Sequence, residues 1–257
     1  VLSIGGIVGG LISLGTGVVI TRLSSLLSYS TLMLSACVVS MVLMLICVSL
    51  HLGLKPVADA PSAEATKKKT NQLEIFRYPL FRKMIPANLM RGFGYGTTTI
   101  FAAIALDLGF DTGVATALVS AQSIASLLGC ALFGISIAWL QPRFITLAGS
   151  LTFALIPLML IPHKYVFLIV FSLVYLGRTF VDYSVPSILR AAIPVHLAGP
   201  FNAWRMLMHN AGTLIATTIA AFIPVTWLLV LTVVFQLISG LHYFLAKDLR
   251  GDPSFIK

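Results

Sequence analysis

Apolar residues in this chain come in long unbroken runs rather than in the half-polar patterns of elements that face water. Eight such windows recur, at approximately 1 to 20, 31 to 52, 84 to 106, 113 to 137, 144 to 161, 165 to 189, 200 to 223 and 225 to 246. A helix needs about 20 mostly apolar residues to cross the roughly 30 Å hydrocarbon layer, so each window predicts one spanning helix. Barrel strands alternate in polarity and run only about 10 residues, which these windows do not. In lipid a helix satisfies its own backbone polar groups. The expected fold class is therefore an all-α membrane protein, a polytopic bundle of about eight transmembrane helices.

One segment breaks the pattern: LKPVADAPSAEATKKKTNQLEIFRYPLFRK, with the Pro, Ala and Lys content of a flexible linker. It divides the chain into two spans in residues 1–53, a cytoplasmic linker in 54–83, six spans in 84–246 and a cytoplasmic tail in 247–257. The first residue is Val, and the opening VLSIGGIVGGLISLGTGVVI lacks the basic flank and cleavage site of a signal peptide. A truncated chain that starts inside a span is the expectation.

Composition agrees, at 58% hydrophobic and 10% charged residues. The formal charge of +9 raises the question of nucleic acid, but its placement answers it. With the Lys-rich linker cytoplasmic, thirteen of the seventeen Lys and Arg residues fall on that side and only Arg22 and Lys164 on the other. That is the positive-inside bias, and it requires no nucleic-acid partner. Cys37, Cys47 and Cys130 lack metal-ligand spacing and read as small buried hydrophobes. No metal or other cofactor is expected.

Polar residues inside the spans fall into rows, because residues three and four apart share a helix face. The third span carries Asn88, Arg91, Tyr95 and Thr98; the fourth Thr116, Ser120 and Ser123, flanked by Gln122 and Ser126. Tyr175, Arg178 and Asp182 lie on the sixth, and Asn202, Arg205, His209, Thr213 and Thr217 on the seventh. Thr232, Gln236 and Ser239 form a weaker row on the eighth. A water-filled cavity walled by the third, fourth, sixth and seventh spans, with the fifth and eighth packed outside, accounts for this distribution.

Three stretches resemble the major facilitator superfamily of transporters. IFRYPLFRKMIPANLMRGFGYG is similar to the run from that family's central loop into its seventh helix, and IPVHLAGPFNAWRMLMHNAGTLIATTIAA to the passage from the tenth to the eleventh. GGIVGG is similar to the end of the antiporter motif G-P-x-x-G-G, with Gly6 in place of Pro. GISIAWLQPR keeps only Gly134 and Arg143 of the family's G-x-x-x-D-R-x-G-R-R. The resemblance implies the last two helices of an N-terminal half followed by a six-helix C-terminal half, with the family's seventh, eighth, tenth and eleventh helices bordering the transport path.

An ionised side chain at mid-membrane costs roughly 2.5 to 3.5 kcal/mol on insertion scales, so Arg178 and Asp182 in LGRTFVDYSVP need a reason to be there. Spaced at i and i+4, they can pair. In the functional reading Arg178 binds an anionic part of a solute and Asp182 takes and releases a proton; in the alternative they form a permanent ion pair. Arg91 is read either as a solute or gate contact or as a side chain that snorkels to the interface. His209 is read as a proton shuttle or as a hydrogen-bonded neutral imidazole. Tyr95, Gln122 and Tyr175 complete the candidate solute-binding or coupling set. The glycines of RGFGYGTTT lie within a span, where they let the helix bend or a neighbour approach, and are no phosphate loop.

The expected function is a secondary active transporter in the plasma membrane, working by alternating access and coupled to protons. Two arginines against one aspartate favour an organic anion as solute. A drug-like compound fits the aromatic residues Phe93, Tyr95, Tyr175 and Tyr183. The alternative is the permease subunit of an ATP-driven transporter or another non-catalytic bundle. Enzymatic activity is not expected, since the five His residues are scattered over spans and loops.

Overall fold

The structure, a computed structural model, describes residues 75–76, 79–192 and 197–245 together with Val42. Among them the order is α1 (Pro79–Thr99), α2 (Phe101–Asp107), α3 (Thr112–Ser136), α4 (Pro142–Leu151) continued by a 3-10 segment (Thr152–Leu160), α5 (Lys164–Ala192), α6 (Ala198–Ile219) and α7 (Val225–Leu245). The described residues are all-helical, with no strand. Among the described residues four helices are long and apolar enough to cross a membrane: Thr112–Ser136, Pro142–Leu160, Lys164–Leu189 and Val225–Leu245. This is compatible with a multi-pass membrane protein.

The expected count of eight spans is therefore reached only in part. The windows at 84 to 106 and 200 to 223 are helical, as α1 with α2 and as α6, but Arg91 and the hydroxyl, amide and imidazole groups on these helices keep them short of that degree of apolarity. The windows at 1 to 20 and 31 to 52, with GGIVGG, Cys37 and Cys47, lie outside the described residues, as do most of the linker and the tail.

Local chemistry sets several boundaries. Asp111 caps α3 by accepting from the Val114 amide at 2.9 Å. Pro142 opens α4 at a position where its missing N–H costs nothing. Further on, Pro157 lies in the 3-10 segment, whose tighter winding follows the end of α4. α1 ends in TTT, where the Thr97, Thr98 and Thr99 hydroxyls donate to the carbonyls of Phe93, Tyr95 and Gly96 at 3.3, 2.8 and 2.6 Å.

Packing places α1 between α6 and α7; α7 also lies on α4 and the 3-10 segment, which lie on α5, and α5 lies on α3. The crossing of α1 and α6 depends on glycine. A Cβ at Gly92 would collide with the His209 carbonyl, one at Gly96 with the Thr213 backbone, and one at Gly212 with the Leu89 carbonyl. Small residues let two backbones touch where apolar burial offers no drive, as in lipid. The Thr213 hydroxyl, 3.1 Å from the Gly92 carbonyl and 3.2 Å from that of His209, joins the two helices.

α7 is built inside out. Val230, Val234, Ile238, Leu241 and Leu245 are exposed along one face, while Thr232, Gln236, Ser239 and Tyr243 are buried on the other. The sequence reading set this helix outside the polar group; the structure seats its polar row against α1. The Thr232 and Thr97 hydroxyls are 2.7 Å apart, Gln236 Nε2 donates to the Arg91 carbonyl at 2.9 Å, and Ser239 donates to the Ala87 carbonyl at 2.9 Å. Tyr243 donates to Asn88 Oδ1 at 3.2 Å.

Two apolar cores result, one around Phe153, Ile156, Phe167, Phe171 and Leu228, the other around Phe81, Met84, Val185 and Phe201. Gly92→Val and Gly212→Val are expected to lower the thermal midpoint of the purified protein, each costing about 1–3 kcal/mol or more through overpacking against backbone that cannot yield. Gly199→Ala, where nothing lies within 4 Å, is expected to leave it unchanged, as read by thermal unfolding in detergent.

Candidate functional site

Arg178 is the midpoint of α5, which runs from Lys164 to Ala192. Its guanidinium reaches across to α1: Nη1 donates to Thr98 Oγ1 at 2.7 Å and to the Tyr175 hydroxyl at 3.2 Å. Its Cζ lies 4.2 Å from the Tyr95 ring centroid and 5.1 Å from that of Tyr175, both within cation–π range. Tyr95 in turn donates to the Arg178 carbonyl at 3.2 Å. One turn on, Asp182 Oδ2 lies 3.8 Å from Arg178 Nε, a loose contact with side-chain exposures of 23% for the arginine and 43% for the aspartate.

The loose pairing matters because it leaves both partners something to offer. Two tyrosines and a threonine position the guanidinium with neutral groups, which do not cancel its charge. The carboxylate is left with an exposed edge.

Behind Tyr95 stand two further candidates. The His209 ring meets the Tyr95 ring edge-on, with centroids 4.9 Å apart and planes at 87°, and its Nδ1 is buried without a hydrogen-bond partner. Arg91 Cζ lies 5.7 Å from the same Tyr95 ring. The arginine is only 2% exposed, and its Nε and Nη1 are buried with no partner. α1 begins at Pro79, five residues before the expected start, so Arg91 is twelve residues in, about 18 Å along the helix. Arg91 is thus enclosed by protein within the described residues.

Six of the seven candidate residues, Arg178, Asp182, Arg91, His209, Tyr95 and Tyr175, thus form one chain of contacts and facing rings centred on Tyr95. Gln122 stands exposed on α3, outside that chain. Phe93 packs edge-on against Phe235 at 4.9 Å inside an apolar core, away from an aromatic lining. Tyr183 faces Phe133 and lies 3.4 Å from the buried Cys130 thiol. Thr98 and Gln236 gained importance from the structure, the first as the acceptor for Arg178 and the second as the group that ties the Arg91 backbone to α7. Both were visible as polar members of helical rows; which neighbour each would meet was not.

Charge is uneven. The carboxylates among the described residues are Asp107, Asp111 and Asp182; Asp107 ends α2 and Asp111 caps α3. Asp182 acts electrostatically on Arg91 and Arg205 as well as on its direct neighbour. Three guanidinium groups therefore share one nearby carboxylate. No family model, curated protein or solved structure matches this chain.

Thr98→Val should remove the closest hydrogen bond of Arg178 and destabilise the α1–α5 contact by about 1–3 kcal/mol, since a charged donor loses its buried acceptor. Thr99→Val, at an exposed position one residue on, should cost less than half as much. Thermal unfolding of both variants checks this.

Proposed function

We propose that the protein is a secondary active transporter of the plasma membrane that moves an organic anion by alternating access, coupled to protons, with the organisation of the major facilitator superfamily. What carries this reading is the geometry of Arg178: a mid-helix guanidinium positioned by neutral groups, with an exposed carboxylate only loosely paired to it at 3.8 Å. Intramembrane ionisable groups are costly to place and mark substrate paths and proton relays.

The chemistry of coupling follows from competition. Ionised Asp182 and an anionic solute both seek the same guanidinium. Protonating Asp182 removes the competitor, so a proton and an anion load together, and loss of the proton returns Arg178 to its carboxylate and expels the anion. Tyr95 and Tyr175 keep the guanidinium plane in place through the exchange by facing it with their rings. Helices α1 and α5 supply both sides of this contact, so relative movement of the two alters how firmly Arg178 is held.

In proteoliposomes, a pH gradient without ATP should drive accumulation of an organic anion. Asp182→Asn mimics the protonated carboxyl and should abolish gradient-driven accumulation at least tenfold while retaining anion exchange between equal pH values. Unchanged gradient-driven accumulation in Asp182→Asn contradicts the coupling role, and accumulation that requires ATP contradicts the transporter class.

A further inference from the structure

Four buried nitrogens on two touching helices lack any hydrogen-bond partner: Nε and Nη1 of Arg91 on α1, and Nε of Arg205 and Nδ1 of His209 on α6. Arg91 and His209 both lie against the Tyr95 ring, at 5.7 and 4.9 Å, and Arg205 precedes His209 by one turn on the same face. Arg91, Arg178 and Arg205 all act electrostatically on His209. The Arg205 Nη2 reaches the Met206 sulfur at 3.7 Å, a weak acceptor for a guanidinium.

Such an arrangement is expensive without an acceptor. An uncompensated charge costs several kcal/mol in a low-dielectric interior, and each buried unsatisfied donor adds to it. Asp182 lies against Arg178 and acts on Arg91 electrostatically without a hydrogen bond to its Nε or Nη1, the Arg91 carbonyl is taken by Gln236 Nε2, and the orphaned acceptor among the described residues is Gln236 Oε1, a neutral atom. Three positive groups against one carboxylate leave an excess of positive charge that neutral amides cannot offset.

We infer that Arg91, with His209 and Arg205, forms a binding site for a small inorganic anion of halide size, a resident counter-ion at the α1–α6 crossing distinct from the solute contact at Arg178. Small size follows from the enclosure: Arg91 is 2% exposed, and Gly92 brings the α1 backbone against the His209 carbonyl. The role is to neutralise Arg91 and so hold together two helices that meet through glycines. It does not rest on the transport reading, because the anion is bound in the absence of solute or gradient.

The test is thermal unfolding of the purified full chain in detergent, titrated with sodium chloride against sodium gluconate at constant ionic strength. Chloride should leave the unfolding midpoint unchanged well below its dissociation constant and raise it in proportion to the logarithm of its concentration above it, as ligand binding to the folded state requires, and gluconate should not. Arg91→Met should abolish the chloride dependence and, in gluconate, unfold at a temperature equal to or above that of the parent, since the unpaired charge is gone. Should Arg91→Met not fold, His209→Leu, at a partly exposed position, should move the chloride concentration at which the midpoint begins to rise upward by about tenfold. Equal stabilisation by chloride and gluconate, an undiminished chloride effect in Arg91→Met, or an unaltered onset concentration in His209→Leu would each overturn the proposal.

Discussion

A polar group placed among apolar helices must find its partner within the protein, since hydrocarbon offers none. That constraint orders the described residues. It explains why α7 turns Thr232, Gln236, Ser239 and Tyr243 inward and Val230, Val234, Ile238 and Leu241 outward, the reverse of a helix in water. It also explains why α1, which carries Asn88, Arg91, Tyr95 and three consecutive threonines, is flanked by α6 and α7. Its Ala87, Arg91 and Gly92 carbonyls and its Thr97 hydroxyl receive hydroxyls or an amide from those neighbours.

The same constraint treats two arginines differently. Arg178 has two tyrosine rings, two hydroxyl oxygens and a loosely placed carboxylate, so its charge is positioned more than it is cancelled. Arg91 is enclosed, with two N–H groups unmet. Both lie within cation–π range of the Tyr95 ring, Arg178 at 4.2 Å and partly exposed, Arg91 at 5.7 Å and buried. A guanidinium with neutral partners suits reversible binding. Arg91 has the Tyr95 ring at 5.7 Å but no hydrogen-bond partner for Nε and Nη1, the feature from which a resident counter-charge is proposed.

Much of this was legible in the letters. Apolar run length located helices between residues 84 and 246, and three-and-four spacing placed Asn88, Arg91, Tyr95 and Thr98 on one helix and Tyr175, Arg178 and Asp182 on another. Spacing says which side chains share a face, however, and not which helix that face meets. The row Thr232, Gln236 and Ser239 was read as peripheral because it is weak, yet in lipid a weakly polar row is the one that must be buried. Gln122 shares the polarity of its neighbours but not their enclosure. The start of α1 was placed late because Arg82 and Lys83 resemble the end of an apolar run, although both are exposed residues of the first turn and a half of the helix. The glycine crossing at Gly92, Gly96 and Gly212 needed both helices to be seen together.

The central claim is that the Arg178–Asp182 edge opens to water while the surrounding helix surfaces open to lipid. Reactivity of a cysteine at position 182 with a membrane-impermeant thiol reagent measures this directly, in a background with Cys37, Cys47 and Cys130 replaced by Ser. Asp182→Cys should react at a rate within about tenfold of Asp111→Cys in the α2–α3 turn, and an organic anion should slow it. Asp182→Cys as inert as the outward-facing Ile238→Cys would contradict the account.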